Sequence, residues 1–396
     1  MKNKAVLAGL VMALMVLSAF AALPAKTVSA AAADEDVLYI AMQEDMDDFN
    51  NYNLASNSVW KYYVIGMGFE SLSTADFDLR PIPLLADHWV FDETNLTVDI
   101  YLREGVKFHD HTDSVPRIMT AEDVKFSYMM ARNGTTYSGN MIPAFDADEN
   151  NIVNETELND GITIIDPYHL RMVMAKPYGQ FFSSTLGVPI VPKHIWEEHV
   201  DIDNQVDVTW SDETAAIGTG AWYYADGVSS SYREMKKFDS YWGVDYITPA
   251  LMPLFPKVVD SVFYKIYTSI DTAILALQAG DVDYIAWAVT AGRVPALQTN
   301  PNIELEYMSD AGYFYLAFNM KKEPMNNISF RKAVSHLIDK DQLVDVYMGG
   351  FGKAGSASVS PFFGEWHNPT VTTYAFDIDA ANALLDAAGY LDANGD

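Results

Sequence analysis

The sequence contains no cysteine. That excludes a disulfide framework, a thiol nucleophile, a thiolate metal site and a lipid-bearing cysteine, so stability has to come from the buried core. Basic residues are scarce too: 25 Lys and Arg stand against 54 Asp and Glu, a formal net charge of −29. So acidic a chain repels phosphate backbones and anionic membrane surfaces, which removes nucleic acid from the expected partners. Neither a Gly-x-Ser-x-Gly elbow nor a P-loop occurs, and no spacing among Glu70, Asp87, Glu122 and Asp123 singles out a catalytic acid and base. No enzymatic activity is expected. Internal repeats and long low-complexity linkers are missing as well.

What is present begins with Lys2 and Lys4, an uncharged run from Ala5 to Ala25, and the small-x-small site Val28-Ser29-Ala30. Residues 1–30 therefore read as an export signal, with an uncleaved membrane anchor as the competing reading. Losing residues 1–30, which carry three Lys and no acid, takes the net charge from −29 to −32. The expected location is periplasmic, cell-surface or extracellular. With 396 residues, 49% of them hydrophobic and 13% aromatic, the chain is globular and too long for one compact core. Sequons at Asn95, Asn133, Asn154 and Asn327 are candidate glycan acceptors.

Hydrophobic periodicity places the first elements. Val37 to Ala41 suits a buried strand, and the loop from Gln43 to Asn53 then sits at its carboxyl end, where ligands of open α/β sheets gather. Val59 to Phe69 predicts a helix rich in aromatics. Trp89 to Phe91 and Thr97 to Leu102 predict a hairpin whose second strand is apolar on the face of Val98, Ile100 and Leu102. Thr120 with Asp123 predicts a capping box, followed by a helix burying Val124, Ser127, Tyr128 and Ala131. Residues 133–165 read as an acidic insertion or long loop. Phe263 to Tyr267 and Tyr313 to Asn319 predict strands. A helix capped by Asp271 and stopped at Gly280 is expected, and another from Phe330 to Ile338 with Ala333, Val334, Leu337 and Ile338 inward.

Several of these segments share a wording. Leu102-Arg103-Glu104-Gly105-Val106-Lys107-Phe108-His109-Asp110 follows the Trp89 strand and precedes Thr120-Ala121-Glu122-Asp123-Val124. Further blocks are Pro192-Lys193-His194, Ile217-Gly218-Thr219-Gly220-Ala221-Trp222, Tyr241-Trp242-Gly243, Leu277-Gln278-Ala279-Gly280, Phe318-Asn319 and Arg331-Lys332-Ala333-Val334. In this order they resemble the family 5 extracellular solute-binding proteins, the peptide and nickel receptors of ABC importers. Ala221 departs from the family's Gly-Thr-Gly-Pro-Tyr pattern, which loosens that turn. The last residues, from Ala387 to Asp396, resemble an interior segment of the family, so the resemblance implies an incomplete second lobe.

The resemblance implies an α/β, periplasmic-binding-protein-like two-lobed (Venus flytrap) fold, type II, cluster C. It implies lobe I from residues 34–72 and 190–265, an accessory subdomain from 73–189, and part of lobe II from 266–396. It also implies a monomeric receptor that closes on a small peptide and hands it to the permease subunits of the transporter, with no cofactor required. Nickel chelates or oligosaccharides are the alternative ligands, and a calcium-dependent glycan-binding module or hydrolase the alternative class.

For ligand contacts we single out Asn50, Tyr52 and Tyr63, the turn Gly218, Thr219, Gly220 and Trp222, and then Trp287, Phe314, Tyr315 and Asn319. Aromatic walls supply large contact area, though each ring taken singly is better explained by core packing. Asp146, Asp148, Asn150, Ile152 and Glu157 occupy positions 1, 3, 5, 7 and 12 of an EF-hand-like spacing; the first reading is an acidic insertion in an already acidic protein, and a structural calcium ion held by these residues is the alternative. His109-Asp110-His111 reads as a polar turn and not as a metal pair, since no third ligand is near in sequence.

Overall fold

Strand β1 (Val37–Met42) buries Leu38, Ile40, Ala41 and Met42, as suits a central strand, while Tyr39 stays exposed near its start. The computed structural model describes residues 36–52, 58–76, 79–132, 141–147, 153–200, 210–245, 259–308 and 312–391. The expected export signal lies outside them. After β1 come α1 (Val59–Val64), β2 (Ser73–Ala75), β3 (Pro81–Pro83), β4 (Ala86–Asp92), β5 (Thr97–Leu102), α2 (Ala121–Ala131), α3 (Glu155–Gly161), β6 (Ile162–Asp166) and β7 (His169–Val173). Then follow α4 (Lys193–Trp196), β8 (Trp222–Val228), β9 (Tyr232–Lys237), β10 (Ser261–Ile266), α5 (Ile270–Ala279) and β11 (Tyr284–Ile285). The remaining helices are α6 (Val294–Gln298), α7 (Ile328–His336), α8 (Lys340–Gln342) and α9 (Ile378–Ala387).

The chain divides into two compact units between Ala288 and Val289. In the first, a five-stranded sheet has the order β11-β1-β10-β9-β8. β1 runs parallel to both β10 and β11, so these three strands end at the same sheet edge, while β9 is antiparallel to β10 and to β8. A second, antiparallel sheet has the order β4-β5-β7-β6. One cluster of buried side chains runs from Leu38 and Ile40 through Val98 and Ile100 to Leu170 and Met172, joining the two sheets.

Local chemistry accounts for the element ends. The Asp123 carboxylate accepts from the Thr120 amide at 2.9 Å and from its hydroxyl at 3.2 Å, opening α2 as the capping box predicts. Gly280 closes α5 in the left-handed region at φ 80°, where a side chain is strained. The cap at the start of α5 is Ser269, whose hydroxyl accepts from Asp271 N–H; Asp271 sits inside the first turn instead.

Three expectations are corrected. The described part of residues 133–165 is more than a loop: Asn154 and Glu157 form a reciprocal capping box, α3 follows, and β6 adds the outer strand beside β7. The acidic composition hides a helix whose buried anchor is Leu158. Residues Tyr313 to Asn319 join no ladder among the described residues, because no described strand lies beside them to take up their amides. Only Ala333 of the four inward residues expected on α7 is buried, and Leu337 is exposed. α5 and β11 lie in the first unit, where β11 pairs with β1.

In the second unit α7 packs against α9, each burying an alanine, Ala333 and Ala381, and Asp377 N–H donates to the His336 carbonyl at 2.9 Å. None of the described helices is long and apolar enough to cross a membrane.

Candidate functional site

The parallel strands β1, β10 and β11 deliver their carboxyl ends to one edge, and three connections leave from it: residues 43–52, 267–269 and 286–288. Such an edge is where open α/β sheets hold ligands.

The first connection is acidic and is tied down by two cations. The Asp45 carboxylate accepts from Arg233 Nε at 2.9 Å and Nη2 at 2.8 Å, and from Ser230 N–H at 2.8 Å. Burial works to raise the Asp45 carboxyl, but these bonds outweigh it and hold it below its ordinary value. Asp48 accepts from Lys61 Nζ at 3.0 Å, and the same ammonium donates to the Asn50 carbonyl at 3.0 Å. Lys61 is buried, so this pair fastens α1 to the loop from inside.

Asn50 and Tyr52 belong to this fastening. Asn50 Nδ2 donates to the Trp210 carbonyl and its Oδ1 accepts from Tyr52 N–H, both at 2.9 Å. Tyr52 stands edge-on to Trp196 at 5.2 Å and donates its hydroxyl to the Pro189 carbonyl at 3.0 Å. Both side chains are fully buried and present no surface to a ligand. Burial drives the Tyr52 phenol well above its ordinary range.

The turn Gly218-Thr219-Gly220 is likewise enclosed. A Cβ at Gly218 would overlap the Gly68 carbonyl oxygen, and one at Gly220 that of Met67, so only glycine lets the turn lie flush on the 3-10 turn Ile65–Gly68. Thr219 Oγ1 donates to Glu70 at 2.8 Å, and the same carboxylate accepts from Tyr241 Oη at 2.6 Å and Trp242 Nε1 at 2.9 Å. Burial lifts Glu70 to about 7 against the pull of these bonds. On the other side His109 Nε2 donates to the Gly220 carbonyl at 3.0 Å, and Nδ1 accepts from Gly218 N–H at 3.2 Å, which assigns the neutral tautomer. Burial lowers that imidazole to about 4. The turn loosened by Ala221 is thus held by side chains in place of a proline ring. Trp222 is buried beneath it.

Aromatic surface remains. Trp287, directly after β11, is 46% exposed and lies 5.1 Å from the ring of Trp60, which is 3% exposed. Trp60 in turn lies 5.6 Å from Tyr63, a half-buried ring whose phenol is raised by burial. The structure therefore brings Tyr63 and Trp287 together through Trp60, which the sequence reading did not select. Its place on the aromatic face of α1 was the available signal. In the second unit Phe314 and Tyr315 are 94% and 76% exposed, and Asn319 Oδ1 accepts from Lys321 N–H at 3.1 Å.

Of the calcium positions, Asp148, Asn150 and Ile152 lie outside the described residues. Asp146 pairs with Lys176 at 3.6 Å, and Glu157 accepts from Asn154 N–H at 2.8 Å and Ala147 N–H at 2.9 Å. Among the described residues no three His, Asp or Glu side chains converge as metal ligands. His111 Nδ1 accepts from Arg117 N–H at 3.0 Å, a turn contact.

The sequence profile of the bacterial extracellular solute-binding proteins, family 5 middle region, matches residues 80–396. Heme-binding protein A of Haemophilus influenzae is 25% identical over 346 residues, covering 86% of this chain and 58% of its own length. The dipeptide-binding protein of Escherichia coli is 24% identical over 314 residues, covering 78% and 55%. Among solved structures, the periplasmic binding protein DppA of Helicobacter pylori with a bound peptide superposes with a TM-score of 0.69 at 21% identity, covering 90% of this chain and 67% of that one. NikZ of Campylobacter jejuni with Ni(L-His) gives 0.67 at 21%, covering 90% and 64%. The chain spans less than two thirds of the length of the two curated relatives. With the profile extending over most of the sequence and the fold shared with these binding proteins, the chain belongs to the family 5 bacterial extracellular solute-binding proteins.

Proposed function

We propose that this chain is the ligand-binding part of an exported receptor that captures small peptides and delivers them to the permease of an ABC importer. Family 5 members are transport receptors and not enzymes. The observation that carries the reading here is the aromatic surface of Trp287 at the carboxyl edge of three parallel strands, in a loop cluster whose polar side chains are engaged with one another. Such a site offers contact area and backbone groups, which suits ligands bound through their main chain. Relatives named for peptides support the class: a dipeptide-binding protein, glutathione-binding proteins, and an oligopeptide-binding protein solved with a nonapeptide.

A ligand that shifts such a receptor must contact it differently in its open and closed states, so the expected behaviour is saturable 1:1 binding by a monomer. No cofactor is required for capture. A calcium ion at 146–157 would be structural, and the export signal would place the receptor outside the cytoplasm. Titration calorimetry with di- to pentapeptides tests the reading. Saturable binding is expected, and a ligand at a hundredfold over its Kd adds about 2.7 kcal/mol of stability. Binding of Ni(L-His) or hemin with no peptide binding would overturn the peptide assignment and keep the receptor.

A further inference from the structure

Trp287 combines exposure with rigidity. Its backbone is set by β11, whose Ile285 pairs with Ala41, and by Ala286 N–H donating to the Ala41 carbonyl at 3.0 Å. Its ring rests on Trp60 with centroids 5.1 Å apart and planes inclined by 49°. Trp60 is itself held: it lies in the core cluster, its amide donates to the capping hydroxyl of Ser58 at 3.2 Å, and Lys61 beside it is locked to Asp48. A half-exposed indole backed by a buried one therefore stands in a fixed orientation before any ligand arrives. Stacking on a preorganised ring loses less conformational freedom than stacking on a mobile one, and ring–ring pairs bind more tightly than equal apolar area.

We propose that Trp287 is the specificity platform of the site, selecting ligands that present a flat ring, as the aromatic side chain of a peptide residue does, and that Trp60 is the positioning residue behind it. The proposal rests on the peptide-receptor reading above. It makes the receptor selective at one ligand position while the main chain of the ligand is bound without regard to sequence.

The test is calorimetry with the tripeptides Ala-Ala-Ala, Ala-Leu-Ala and Ala-Phe-Ala, where leucine controls for apolar area. Ala-Phe-Ala is expected to bind roughly three- to tenfold tighter than Ala-Leu-Ala. Trp287→Ala brings those two peptides to within about twofold of each other, and Trp287→Phe keeps most of the difference. Trp60→Leu, which removes the backing ring but retains apolar bulk, lowers the Phe-to-Leu ratio, and Trp60→Phe restores it. Equal binding of the two peptides by the native chain, or an unchanged ratio in Trp287→Ala, overturns the platform while leaving the peptide reading intact. Absence of binding by all three overturns the peptide reading itself and the platform with it.

Discussion

Glu70 and His109 grip the same turn from opposite sides, Glu70 through the Thr219 hydroxyl at 2.8 Å and His109 through the Gly220 carbonyl at 3.0 Å. Their titrations oppose one another. Glu70 has a folded value of about 7 against an ordinary 4.5, so the folded state keeps its proton longer and loses stability as pH rises from about 4.5 to about 7. His109 has a folded value of about 4 against 6.5, so its contribution is complete above 6.5 and is lost as pH falls toward 4. Each span corresponds to about 3 kcal/mol, and between pH 4.5 and 6.5 the two slopes offset each other.

Single substitutions expose the hidden slopes. Relative to the native chain, Glu70→Gln gains up to about 3 kcal/mol as pH is raised from 4.5 to 7, and His109→Gln gains a similar amount as pH is lowered from 6.5 to 4. Urea unfolding at several pH values reads both. A pH-independent difference for either variant would refute the assignment.

The aromatic pair should separate stability from exposure. Trp60→Ala opens a cavity in the core and costs about 3–5 kcal/mol, whereas Trp287→Ala, which removes a half-exposed ring resting on Trp60, costs about 1–2 kcal/mol. Denaturant midpoints at constant slope provide the measurement, and equal losses would contradict the burial of Trp60.

Lys61→Ala leaves Asp48 without its buried cation and is expected to cost about 3–5 kcal/mol. Lys61→Ala/Asp48→Asn recovers part of that loss, since no uncompensated charge remains. A double-mutant cycle measures the coupling, and strict additivity would show that the pair does not interact.

If residues 146–157 hold calcium, saturating calcium raises the melting temperature and Glu157→Ala removes the rise. The same variant loses the Asn154 capping box and about 1 kcal/mol in chelator as well. An identical melt with and without calcium refutes the ion and leaves the cap as the role of Glu157.

Much of the first unit was legible because its signals are local. The alternation of Val98, Ile100 and Leu102, the Thr120–Asp123 box and Gly280 each fix a neighbouring stretch of backbone without help from elsewhere. The hairpin of β8 and β9 was not read, because Asp226, Gly227 and a bulge between Tyr224 and Asp226 break its alternation. The site was harder to read. A polar or aromatic residue in a loop after a strand looks the same whether it faces a ligand or the interior. Asn50 turns inward for a carbonyl 160 residues away at Trp210, and Thr219 for Glu70, 149 residues away. Trp287 is distinguished by what stands behind it, and no sequence spacing relates it to Trp60.

The pairing of β1 with β10 bears on the order in which the molecule assembles. Asp36 N–H meets the Asp260 carboxylate at 3.4 Å across 224 residues, and the register runs from Val37 opposite Ser261 to Met42 opposite Ile266. β1 emerges early in synthesis, yet its neighbours β10 and β11 are made much later. The accessory sheet β4-β5-β7-β6 closes within a far shorter span and is free to form first. The edge that carries Trp287 is therefore completed late, and mutations that slow β1–β10 pairing should lengthen the time to binding competence more than they change the final affinity.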